Sequence, residues 1–151
     1  MVAIAAEPVD GLEILALLAA SDAYAAALYP GESNHMLPPE ALRDPAVTFL
    51  VARLNGTAVG CGALVRRDGY GEIKRMFVAD RARGHGIGRH LLMAIESETR
   101  KAGLSLLRLE TGIRQPEAMR LYRSAGFRDI PPFGEYAADP LSVFMEKRIV
   151  S

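Results

Sequence analysis

A single cysteine, Cys61, leaves the chain without an internal disulfide and suggests no metal cluster. It falls within a predicted strand, with nothing nearby to lower its pKa, so it reads as a small buried hydrophobe rather than a nucleophile. Net charge is lacking too, because 18 lysines and arginines balance 18 aspartates and glutamates. That balance argues against a polyanion such as nucleic acid as the main partner, although local basic patches remain open. No segment reaches the roughly 18 consecutive apolar residues that a membrane-spanning helix needs. The N-terminus carries Glu7 and Asp10 and has no basic region ahead of an apolar run. A leader peptide is therefore not expected, and the chain reads as a soluble cytoplasmic protein without a membrane partner. Repeats, low-complexity tracts and an internal linker are also missing.

What is present is ordinary globular composition, half apolar and 24% charged over 151 residues. That length predicts one domain, residues 1–151, with a core that needs no staples. A short strand at 2–6 is followed by a helix reaching about Leu28, with Asp10 as its N-cap and Tyr29-Pro30-Gly31 as its end. Residues 31–45 form a polar connection with a helical turn near 39–43. Strands at 47–53 and 57–66 flank Asn55-Gly56, a hairpin signal because both residues tolerate positive φ. Asp68-Gly69 turns the chain into a third strand at 71–78. A helix to about Ala102, a strand at 104–110, a helix at 116–125, a short strand at 128–130 and a last strand at 142–149 complete the order. Strand hairpins followed by β-α-β-α-β predict an α/β (α+β) fold, a mixed central sheet with helices on both faces.

The most informative segment is Arg83-Gly84-His85-Gly86-Ile87-Gly88, at the junction of a strand and a helix. Ile87, Leu91, Leu92 and Ile95 recur downstream at helical spacing. The first-turn amides of a helix have no partner within it, and the helix dipole adds partial positive charge there, which suits phosphate. Glycines let phosphate approach the main chain, and Arg81, Arg83 and Arg89 bring full charges. A Walker A loop would end in Gly-Lys-Ser/Thr, and none is present. The Rossmann spacing does not fit either, because the glycines at 84, 86 and 88 are set too close.

The pattern Arg83-x-x-Gly86-x-Gly88 resembles the acetyl-CoA pyrophosphate loop of the GNAT family of N-acetyltransferases. Ala118-x-x-Leu121-Tyr122-x-x-x-Gly126-Phe127 resembles the family's second signature, in the right order and at the right distance. The resemblance implies the GNAT acyl-CoA N-acyltransferase fold, acetyl-CoA as cosubstrate and no metal. It assigns cofactor contacts to Arg83, Gly84, His85, Gly86, Ile87, Gly88 and Arg89, and to the backbone of Met76, Phe77 and Val78, whose amides would polarise the thioester carbonyl. Gln115 stands where many members carry an asparagine that binds the pantetheine arm.

For chemistry, the resemblance makes Tyr122 the acid that protonates the leaving thiolate and Glu72 the base that deprotonates the amine. A free alkylamine has a pKa near 10.4, so a base must take its proton at neutral pH. Strand alternation puts Glu72, Lys74 and Met76 on one face and Ile73, Arg75 and Phe77 on the other. The acceptor pocket is expected between Ser33 and His35 on one side and Phe133 and Tyr136 on the other. The reading is an N-acetyltransferase acting by direct transfer in a ternary complex on a small-molecule primary amine. Its alternatives are a protein lysine or N-terminal acetyltransferase and a CoA-ester-binding regulatory module without catalysis. Dimers are common in the family, so a homodimer is compatible with it.

Overall fold

Among the residues that the computed structural model describes, 1–31 and 35–150, seven strands form one sheet in the order β1-β2-β3-β4-β5-β7-β6. The chain runs β1 (Val2–Ala6), α1 (Leu12–Leu28), β2 (Val47–Leu54), β3 (Thr57–Arg66), β4 (Gly71–Val78), α2 (Ile87–Lys101), β5 (Leu106–Gly112), α3 (Pro116–Ser124), β6 (Arg128–Ile130) and β7 (Ser142–Arg148). Short 3-10 turns occupy Ala41–Arg43 and Asp80–Ala82. Every neighbouring pair is antiparallel except β4 with β5, so the sheet is mixed. Asn55 and Gly56 take positive φ in the β2–β3 turn, as their sequence predicts.

The strands alternate between two cores. Val51, Cys61 and Ala63 face Ile14, Leu17 and Leu18 of α1. Leu50, Ala52, Leu64 and Ile73 face Leu91, Leu92 and Ile95 of α2, with Tyr122 of α3 in the same cluster. Two local expectations need correction. The N-cap of α1 is Gly11, at φ 80° and without a side-chain cap, so Asp10 does not cap it. Strand β5 starts at Leu106, because the amide of Leu104 is spent on the carbonyl of Thr99 at the end of α2.

Strand β4 carries one residue more than its partner can match. Cys61 pairs with Phe77 and Ala63 with Lys74, so Arg75 and Met76 together stand opposite Gly62. This is a β-bulge, and Arg75 takes φ 61° within it. The extra residue breaks the expected alternation. Arg75 joins Lys74 on the α1 side, where its guanidinium bonds to Asp22 at 2.6 Å and to the carbonyl of Leu37 at 2.8 Å. Met76 moves to the α2 side instead of sharing a face with Glu72 and Lys74. Gly62 makes that possible, since a Cβ there would stand 2.9 Å from the Met76 sulfur and 3.1 Å from Ile95 Cδ1. Parallel pairing of β4 with β5 stops at Ile73 and Leu109, just before the bulge, and the ends of the two strands part.

The Arg75 side chain is 1% exposed and Asp22 51%, so the pair anchors the bulge to α1 from a buried cation. Asp22→Ala should cost about 1–3 kcal/mol, the usual loss when a buried charged donor loses its acceptor. Urea denaturation should show it as a lower midpoint at unchanged slope. An unchanged midpoint would mean that the bulge does not depend on this anchor.

Candidate active site

A cavity of about 590 Å³ opens where β4 and β5 part. Its walls are residues 74–78 of β4, 110–112 of β5, the C-terminal half of α1, the turn before α2 and the start of α3. Because β4 and β5 do not pair past Ile73 and Leu109, the edge of β4 from Lys74 to Val78 has no strand opposite it and faces this space. Met76, Phe77 and Val78 line it.

One end of the cavity is the glycine turn. Gly84 and Gly86 adopt φ 88° and 69°, which side chains rarely tolerate. The amides of residues 84–89 donate to no protein group among the described residues, and the first bond into α2 is His90 N–H to Gly86 O. Six consecutive unpaired donors at a helix start make an anion cradle. A Cβ on Gly86 would meet nothing closer than His90 Cε1 at 4.0 Å, so its surroundings are open. Gly88 serves packing instead, since a Cβ there would stand 3.1 Å from Leu121 of α3. Arg83 bonds Asp80 and Glu117, each at 3.1 Å, and Arg89 bonds Ser124 at 3.0 Å; both line the cavity. Arg81 is turned away, onto the carbonyl of Ala58. His85 is exposed and outside the lining.

At the middle stands Tyr122, 4% exposed, its ring edge-on to Phe127. Its hydroxyl has no hydrogen-bond partner among the described residues. Buried side-chain polar atoms there all have partners, so this hydroxyl must touch the open cavity. Burial pushes the phenol well above its ordinary pKa, helped by the charge of Glu110, and keeps it protonated. Glu110 also lines the cavity, and it accepts a hydrogen bond from Ser142 Oγ at 2.8 Å. Burial raises the pKa of this carboxyl, against the opposing pull of Ser142, His35 and Lys74.

The far end is closed by a clamp. The Tyr29 hydroxyl donates to Gln115 Oε1 at 3.2 Å and accepts from the Arg114 amide at 3.1 Å. Gly112 must be glycine, because a Cβ there would fall 1.8 Å from the Tyr29 oxygen. Gln115 does line the cavity, but its carbonyl oxygen ties α3 to α1.

Glu72 needs correction. Its side chain is 2% exposed and lies outside the cavity lining. It accepts bonds from Tyr136 at 2.5 Å and Arg67 at 3.1 Å, which hold it behind the cavity wall. Tyr136 and Phe133 are likewise behind the wall, in a cluster with Tyr70 and Phe144. His35 does reach the lining, whereas Ser33 lies outside the described residues. Cys61 is buried, and burial pushes its thiol up to about 12, which removes it as a nucleophile.

Sequence reasoning missed Glu110, Lys74 and Tyr29. Glu110 stood at the predicted end of a strand, and the parting of β5 from β4 makes it a cavity residue. The Tyr29 clamp spans 86 positions and has no local signal beyond Gly112.

Known proteins resemble this chain in sequence and in fold. Residues 14–127 match the model of the acetyltransferase (GNAT) family. An IAA acetyltransferase of Azospirillum brasilense is 54% identical over 136 residues, 89% of each chain. A Klebsiella pneumoniae structure assigned as an acyl-CoA N-acyltransferase superimposes with a TM-score of 0.84 at 39% identity, covering 99% of both chains. The PaiA N-acetyltransferase of Thermoplasma acidophilum, solved with coenzyme A, shares the fold at a TM-score of 0.76 and 19% identity, over 98% of this chain and 99% of that one.

The raised pKa of Glu110 has a consequence for stability. A carboxyl that holds its proton more tightly when folded leaves stability intact below the unfolded pKa, about 4.3. Stability then falls as pH rises through the folded value, because the native state binds more protons than the unfolded one. Glu110→Gln should therefore be more stable than wild type at pH 7 and converge with it near pH 4. Thermal unfolding across that range measures this, and a variant less stable at pH 7 would contradict it.

Proposed function

The chain belongs to the GNAT family of acetyltransferases, and on that premise we propose that it moves an acetyl group from acetyl-CoA directly to the amine of a small molecule. The observation that carries this reading is the meeting of Glu110, Tyr122 and the unpaired edge of β4 in one cavity, with the amide-rich turn at its end. A volume of about 590 Å³ is in the range of small-ligand sites. The Azospirillum relative is an IAA acetyltransferase, which also supports a small acceptor over a protein lysine.

Acetyl-CoA supplies the activated acyl group as a thioester. In this proposal the amides of residues 84–89, with Arg83 and Arg89, hold its pyrophosphate. Main-chain amides of residues 76–78 receive the thioester oxygen and stabilise the charge that builds on it. Glu110 takes the proton from the acceptor ammonium. Its carboxyl is suited to that role, because burial raises its pKa and a carboxylate that holds a proton more tightly is a stronger base. Tyr122 stays protonated at any physiological pH and gives its proton to the departing sulfur, and the second proton of the attacking nitrogen, lost as the intermediate collapses, restores the phenol. Cys61 has no part, so the transfer is direct, through a ternary complex without an acyl-enzyme.

Acetyl-CoA and CoA should raise the melting temperature, while NAD and ATP should leave it nearly unchanged. Stabilisation by NAD or ATP without any CoA effect would overturn the cofactor assignment. With an accepted amine, Tyr122→Phe and Glu110→Gln should each lower turnover by about 10²- to 10⁴-fold. Glu110→Gln should also remove the acidic limb of the rate profile, where activity falls as the base is protonated. Glu72→Gln should keep that limb. Loss of the limb in Glu72→Gln with retention in Glu110→Gln would return the base to β4.

A further inference from the structure

Lys74 is a buried cation that the transfer chemistry does not use. It sits on the α1 side of β4, its side chain is 9% exposed, and it lines the cavity beside His35. An ammonium group has three donors. One goes to the carbonyl of His35 at 2.7 Å and one to the Tyr136 hydroxyl at 2.6 Å, both neutral acceptors. The nearest carboxylate oxygen, Glu72 Oε2, is 3.8 Å away, beyond hydrogen-bonding distance. That carboxylate is already engaged by Arg67 and by the Tyr136 hydroxyl. Among the described residues the third donor of Lys74 has no hydrogen-bond partner, although Glu72 lies at ion-pair distance, and burial lowers its pKa against the opposing charges of Glu72 and Glu110. The other cations nearby are committed, Arg75 to Asp22 and Arg114 to the carbonyl of Leu28.

Glu110 stands across the split, close enough that each group feels the other's charge, yet the two form no ion pair. A carboxyl and an ammonium held apart in one cavity are complementary to a molecule with the opposite arrangement. We propose that the acceptor is zwitterionic: its amine meets Glu110, and an anionic group on the same molecule, a carboxylate or a phosphonate, binds Lys74. The proposal rests on the acetylation reading with Glu110 as base. A neutral amine would expel water from Lys74 and leave its third donor unpaired, whereas an anion completes it with a charge-assisted bond.

The test is CoA release with short amino acids of graded length, their carboxamides and their phosphonic-acid analogues, compared at equal concentrations of free amine. The zwitterions should exceed the carboxamides by about 10- to 100-fold in kcat/KM, the worth of one buried charge-assisted hydrogen bond. The carboxylate and phosphonate series separate the two anion classes. Lys74→Met should collapse the ratio, mainly through KM, and Lys74→Arg should recover part of it, with acetyl-CoA affinity checked by calorimetry. The wild-type ratio needs no variant, so the test survives a variant that fails to fold. Carboxamides turned over as well as the zwitterions, or an unchanged ratio in a folded Lys74→Met, would overturn the proposal while leaving the acetylation reading intact. No turnover of any amine by protein that binds acetyl-CoA would overturn the acetylation reading and this proposal with it.

Discussion

One extra residue in β4 sets the conditions for everything around it. Because Arg75 and Met76 together face Gly62, the strand bends and its pairing with β5 ends at Ile73 and Leu109. An unbroken parallel ladder would satisfy the β4 edge with β5 and leave no room between them. The parted ends instead give a slot with main-chain groups along one side and Glu110 along the other. The cost is a non-glycine residue at φ 61° and a guanidinium buried with its charge. Both are held by contacts outside the strand, to Asp22 on α1 and to the carbonyl of Leu37. Strain of this kind persists only where the surroundings over-determine it.

The bulge also decides which groups meet the cavity. By adding a residue it puts Lys74 and Arg75 on the same side and sends Met76 to the α2 core. Arg75 is consumed in holding the strand, so Lys74 is left to face the cavity. Behind it, Tyr136 bridges Lys74 and Glu72, and the rings of Phe133 and Phe144 pack against it. Glu72 thus acts on the site through Tyr136 and Lys74. In a buried network of this sort each member is expensive to leave unpaired, which fixes their positions.

Local signals in the chain were enough for most of the fold. The Asn55-Gly56 hairpin, the glycine turn opening α2 and the periodicity of Leu91, Leu92 and Ile95 each state their own geometry within a few residues. Tyr122 was legible because it sits in a spaced pattern on one helix, and Gly86 because helix starts at such turns have free amides whatever surrounds them. The bulge was not legible. Residues 71–78 alternate acceptably on paper, and a one-residue slip reverses every face beyond it without changing a letter. That slip is why alternation puts Met76 beside Lys74, whereas Glu72 lies before the bulge and its role as base came from the family resemblance. Glu110 needed the meeting of β4, β5, α3 and β7, and Tyr29 needed contact across the chain with Gly112 and Gln115. Such long-range juxtapositions leave no mark in spacing.

The central claim is that the slot made by the parted strands, with the free amides of the turn, is where acetyl-CoA lies. Backbone hydrogen exchange with and without acetyl-CoA tests it directly, since the amides of residues 84–89 have no partner among the described residues to protect them. The account predicts that adding acetyl-CoA slows exchange at residues 84–89 and at 76–78 together. Unchanged exchange at both segments, with slowing confined to another part of the surface, would contradict it.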